Sequence, residues 1–199
     1  TQLRALSTDT FASLSTSQVA AINSRAFAGL SSTQIQALSS EQIGSLTTAL
    51  LALLSSAAVA GLTTEDIDVL DPSDIAAINA RAIAGLSTAN IAALDSAQLA
   101  AMTSAQVSAL TTAQVRALTS SQVAGLSSGQ FAALSSTQIR TLSTDSIVAL
   151  NTDQVAALNS RVIGALSTEQ LVAMTTAQIE ALTPAQVAAL GSAAIRALE

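Results

Sequence analysis

Five residue types that carry much of enzyme chemistry are missing from the chain: it has no His, Cys, Lys, Tyr or Trp. Without Cys there are neither disulfides nor thiolate metal sites, although a cysteine-free chain suits oxidising and reducing compartments alike. Without His, Lys and Tyr the common general bases and haem ligands are gone, and no carboxylates are paired for acid and base roles. Serine is abundant, but each Ser stands in a periodic column with no activating partner. No glycine-rich phosphate loop occurs. The chain is therefore not expected to be an enzyme, nor to hold a cofactor or a metal. Positive charge is scarce as well: all seven basic residues are Arg and the formal net charge is -6. That excludes a basic stripe for nucleic acid or an anionic membrane surface. No run of 18 apolar residues is present, so a membrane span is not expected. The opening TQLRALSTDT lacks the basic start and apolar core of a secretory signal. On these grounds the chain is either cytoplasmic or a piece of something longer.

Aromatic residues number three, Phe11, Phe27 and Phe131, although 50% of the 199 residues are apolar. Ala is the commonest apolar residue and large aliphatics are rationed, which suits a thin core drawn out along an axis. The rationing is periodic. Written in rows of eight, the chain shows an unbroken column of Leu, Ile or Met from Leu6, Leu14 and Ile22 to Leu198. A second column, of Val, Ile, Leu or Phe, runs from Leu3, Phe11 and Val19 to Ile195. The residue before the Leu column is mostly Ala or Gly, as in Ala21, Gly29, Ala37 and Gly61, and the residue after it is Ser, Thr, Asn or Asp from Ser7 through Thr183.

One continuous helix cannot use this pattern: eight residues at about 100° each leave the apolar stripe turned by roughly 80° per repeat, so it never faces one partner. A plain strand puts columns three apart on opposite faces. A short helix that restarts in every octad uses every column. The polar residue after Leu is then the N-cap, and Gln is the commonest residue three positions on, as in Ser31 with Gln34, Ser39 with Gln42 and Thr111 with Gln114. That pairing is a capping box. Pro72 and Pro184 both fall at the first helical position, where a missing N–H costs nothing. The two apolar columns then share one face. The expected fold is an all-α, tight solenoid of about 25 eight-residue repeats spanning residues 1–199 as a single array, with a β-solenoid as the alternative. Two buried aliphatics cannot offset the entropy of ordering eight backbones, so no octad folds alone.

Some octads depart from the pattern. AAINSRAFAGL, AAINARAIAGL and AALNSRVIGAL place Arg25, Arg81 and Arg161 at the second helical position after Asn23, Asn79 and Asn159. These Arg are candidate partner contacts, or an echo of duplication in which they bond neighbouring carbonyls or carboxylates. TALLALLSSAAVAGL adds Leu50 and Leu53 in columns usually given to Gln and a small residue. They predict extra local core, or contact with an adjoining copy or domain, in preference to a ligand pocket. TEDIDVLDPSDI gathers Glu65, Asp66, Asp68, Asp71 and Asp74. Calcium favours clustered carboxylates, but no Gly-containing ligand loop surrounds these, and the reading is a solvated patch with Asp71 and Asp66 in cap and capping-box columns.

The octads LTTAQVRA, LSSTQIQA and LTPAQVAA resemble the Leu-Ser/Thr-Thr-x-Gln-Val/Ile-x-Ala arrays of very large repetitive surface proteins of Gram-negative bacteria, the haem-utilisation or adhesion proteins. The resemblance covers the whole chain and implies an extracellular or cell-surface stalk, spacer or fibre-forming segment. Haem finds no support, since Met102 and Met174 simply fill the Leu column. Self-association, end to end or lateral, is the expected partnership, and the chain is expected to be a fragment of a longer array or a fibre subunit. A binding module that engages a peptide, glycan or surface through a superhelical groove or the Arg-bearing octads is the alternative function.

Overall fold

The computed structural model describes residues 6–191. They form 23 helices of four to six residues, from Thr8–Ala12 to Pro184–Ala189, and no strand occurs among the described residues. Each octad is one helix, so the all-α solenoid expected from the sequence is the observed fold and the β-solenoid alternative is overturned.

Local chemistry explains why the helices are so short. In the octad Thr112–Ala117 the hydroxyl of Thr111 accepts from the Gln114 N–H at the start, and at the end the Leu118 N–H turns back to the Val115 carbonyl at 3.3 Å. Leu118 then leaves in extended conformation (φ -62°, ψ 132°) and Thr119 continues extended (φ -70°, ψ 158°) before capping the next helix. Two extended residues therefore replace the left-handed glycine that closes many helices, and no described residue has a positive φ. Pro72 and Pro184 each begin a helix directly after its cap, as the sequence predicts.

The described residues fall into two compact units that divide between Ala109 and Leu110. In the first unit the packing runs mainly between helices three octads apart: Ser40–Gly44 on Thr64–Val69, Thr48–Leu51 on Pro72–Ala77, and Pro72–Ala77 on Ser96–Ala101. The second unit repeats this arrangement, with Ser128–Ala132 on Thr152–Ala157 and Ser160–Ile163 on Pro184–Ala189. Chain neighbours thus serve as links, and the packing is between successive turns of the superhelix.

The interior of each unit is the thin core that the composition suggests. Phe27, Ile35, Ile43, Ile67, Val115 and Phe131 of the fourth helical column are fully buried, and Leu38, Leu62 and Leu118 of the Leu column are nearly so. The small residue ahead of Leu lets the turns touch. A Cβ on Gly61 would lie 2.2 Å from the Ser32 carbonyl oxygen, and one on Gly85 would lie 2.0 Å from that of Ser56. These glycines are needed for room, not for conformation.

Candidate functional site

The residue with most to do in this fold is the Gln at the third helical position. Its Oε1 accepts from the N–H of its own cap, as in Gln154 from Asn151 at 2.9 Å, completing the capping box. Its Nε2 points the other way. Gln154 donates to the carbonyls of Val123 (2.9 Å) and Leu126 (2.8 Å), 31 and 28 residues earlier. Gln170, Gln178 and Gln186 repeat both bonds in the second unit. Gln98 and Gln106 make them in the first unit, on Ile67 and Leu70 and on Ile75 and Ile78, all at 2.7 Å. Gln42 reaches the Leu14 carbonyl in the same manner. Each amide therefore starts its own helix and fastens it to the end of an earlier one, and the 28-residue span sets a superhelical turn of about three and a half octads within each unit. A buried amide with both ends paired is a favourable arrangement, whereas one half-paired is costly.

Sequence reasoning finds the capping half of this role and misses the stapling half. The signal was available in the choice of amide over acid. A capping box accepts Glu as readily as Gln, yet from Gln18 to Gln186 this column holds thirteen Gln and no Glu. A carboxylate could accept from the cap but could not donate to the two carbonyls.

Where the column is not Gln, the turns are joined differently. Asn90, one methylene shorter, still donates from Nδ2 to the Leu62 carbonyl at 2.9 Å, 28 residues back. Leu50 takes the position with an apolar side chain, 5% exposed, so this member of the Leu-rich stretch is core; Leu53 stands at the surface, 37% exposed. At Ala58 and Val162 the column has no donor, and both octads border a groove. In the first unit a groove of about 600 Å³ lies against Ser55 and Ala57, with Leu30, Ser31 and Gln34 opposite. In the second unit one of about 550 Å³ lies against Asn159, Arg161 and Val162, with Leu134, Ser135 and Thr137 opposite.

Of the three candidate Arg, Arg161 lines the groove of the second unit. Arg25 and Arg81 are exposed on separate octads of the first unit, and the Arg81 backbone N–H is taken by the Asn79 side chain at 2.9 Å. The acidic stretch is not the uniformly solvated patch that its composition suggests: Asp66 and Asp74 occupy the Gln column and are 2% and 8% exposed. Both accept from their caps' backbone, Asp66 from Thr63 at 2.9 Å and Asp74 from Asp71 at 3.2 Å. Burial pushes the Asp74 carboxyl above the ordinary aspartate range, with the Asp71 N–H opposing and the Asp71 charge adding to the rise. Asp71 itself is held below that range, first by the Ser73 hydroxyl at 2.7 Å and then by the Asp74 N–H at 3.0 Å. Glu65 is lowered too, chiefly by its own backbone N–H and by the Thr64 hydroxyl. No group of three or more acidic residues is arranged to hold a metal ion among the described residues.

A restarting, capped octad with amide staples between turns defines an octapeptide α-solenoid. Within that class the chain belongs to the ALTTAQ repeat family, whose model matches residues 19–48, 67–104, 75–112, 91–128, 99–136, 123–160 and 163–192. Every match begins on the fourth helical column, at Val19, Ile67, Ile75, Ile91, Leu99, Val123 or Ile163. No curated protein matches the chain.

Proposed function

We propose that this ALTTAQ-repeat chain is a structural element, a spacer or stalk segment of an exported bacterial surface protein, able to associate with further copies of itself. The observation that carries the reading is the use made of each octad: one polar side chain caps, one amide staples, two aliphatics fill the core and little remains to specify chemistry. Export and a place on the cell surface rest on the likeness of LTTAQVRA and its relatives to the arrays of haem-utilisation or adhesion proteins. No catalytic role is assigned, because a chain without His, Cys, Lys or Tyr has few groups that could carry one. Lateral association is favoured by apolar surface in one outward column, where Val148 and Val172 are 47% and 58% exposed three octads apart. Light scattering and electron microscopy over a concentration series test this reading, with rods or fibres that grow with concentration expected.

A second reading is supported by the groove beside Arg161. Its Ser135, Thr137 and Asn159 side chains and one guanidinium suit a polar ligand such as a peptide carboxylate or a glycan. A well-behaved monomer that retains one ligand, and loses it on Arg161→Ala, would favour this binding role over the fibre. Surface labelling of intact host cells checks the location, and staining confined to the cell interior would count against export.

A further inference from the structure

We propose that Asp74 is an acid-strengthened staple: in its protonated form the carboxyl donates to the Leu46 carbonyl, 28 residues earlier, and joins two turns through a hydrogen bond that the carboxylate cannot make. The column supplies the geometry. Asp74 stands where Gln98 and Gln106 donate to carbonyls 28 residues back, and its helix Pro72–Ala77 packs on Thr48–Leu51, the helix that follows Leu46. Reach is shown by Asn90, which has the same shape as a protonated Asp: its Oδ1 accepts locally, from the Ser87 hydroxyl at 2.6 Å, while its Nδ2 donates to Leu62 at 2.9 Å. Asp74 shares the local half, since Oδ2 accepts from the Asp71 N–H at 3.2 Å, and in the acid form an Oδ1–H would play the part of the Asn90 N–H. An aspartate has only acceptors, whereas an aspartic acid has one donor.

The surroundings favour the proton. Thr48–Leu51 brings no charge, Ser96–Ala101 brings Asp95 at its cap, and the neighbouring stretch brings Glu65, Asp66, Asp68 and Asp71, all acidic. The nearest Arg along the chain, Arg81, is on the following helix, Ala80–Ile83, which packs on other octads. The raised Asp74 carboxyl agrees with this setting. A group raised on folding stabilises fully below its unfolded value, about 3.9 for Asp, and loses that contribution as pH rises through the folded value. Asp71 and Glu65, which are lowered, act in the opposite sense: their contribution is complete above the unfolded values and is lost as pH falls through the folded ones. Stability of the first unit should therefore peak in mild acid.

Thermal unfolding of the wild type, Asp74→Asn and Asp74→Ala at pH 7 and pH 5 tests the proposal. The Asn variant carries a permanent donor, so at pH 7 it should melt about 2–4 °C above the wild type, and the gap should narrow at pH 5. Asp74→Ala should melt below Asp74→Asn at both values. An Asn variant with native circular dichroism that gains nothing at pH 7, or a gap that ignores pH, overturns the idea. A second measurement needs no variant: the Asp74 side-chain carboxyl carbon, followed by nuclear magnetic resonance in the wild type, should titrate above the ordinary aspartate range. Titration within or below that range refutes the staple.

Discussion

Gln154 shows what one side chain contributes here. It is fully buried, and its amide is divided between its own cap and two carbonyls of an earlier turn. Gln154→Glu keeps the acceptor and removes the donor, placing a carboxylate against the Val123 and Leu126 oxygens. It should cost at least about 2 kcal/mol at pH 7. Part of that loss should return at pH 5, where protonation restores a donor, and urea unfolding at the two pH values measures both. The glycines make a sharper contrast. Gly61→Ala would drive a methyl into the Ser32 carbonyl, whereas Gly125 has nothing within 4 Å of the same position. Gly61→Ala should destabilise by about 1–3 kcal/mol and Gly125→Ala should stabilise by about 0.5–1 kcal/mol, read by the same unfolding experiment.

Single helices of four to six residues are far below the length at which an isolated helix persists. Each is held by its cap at one end and by extended Leu and cap residues at the other, so its boundaries are chemical. That is why they were legible in the sequence: the polar residue after the Leu column, from Ser7 through Thr183, marks the starts, and both prolines stand at the first helical position. A proline added at an equivalent site should be accepted. Thr112→Pro, after the extended Thr111, should leave circular dichroism unchanged and stabilise by about 0.4–1 kcal/mol. Val115→Pro, in the interior of the same helix and in the buried column, should unfold the second unit. What the sequence did not disclose at this level is which helices meet. Capping and column patterns are local and repeat identically, so they cannot say that Pro72–Ala77 lies on Ser96–Ala101 and not on the helix next to it. The grooves escaped for a similar reason: Ala58 and Val162 look like lapses in a column until their position against an earlier turn is known.

At the scale of the molecule, stability within each unit should behave as a sum over coupled octads that gain from neighbouring turns. Because the octads are equivalent, removing a complete one should preserve every alignment, and removing half of one should not. Deleting residues 151–158, from Asn151 through Leu158, should keep the helical spectrum of the second unit with a modestly lower Tm. Deleting 151–154 moves the apolar columns out of line and should abolish cooperative melting of that unit. Composition foretold this architecture and the thin core, and the absence of chemistry-bearing residues shaped the functional reading; the polar groove that holds Arg161 required the packing to be seen.

The bonds that skip 28 residues also govern what happens when the backbone is severed. In an ordinary loop a cut frees two ends, but here each side of the break stays stitched to layers above and below it. A protease that nicks an exposed Ala or Ser should leave fragments that separate only in denaturant, a form of damage tolerance that follows from the staples alone.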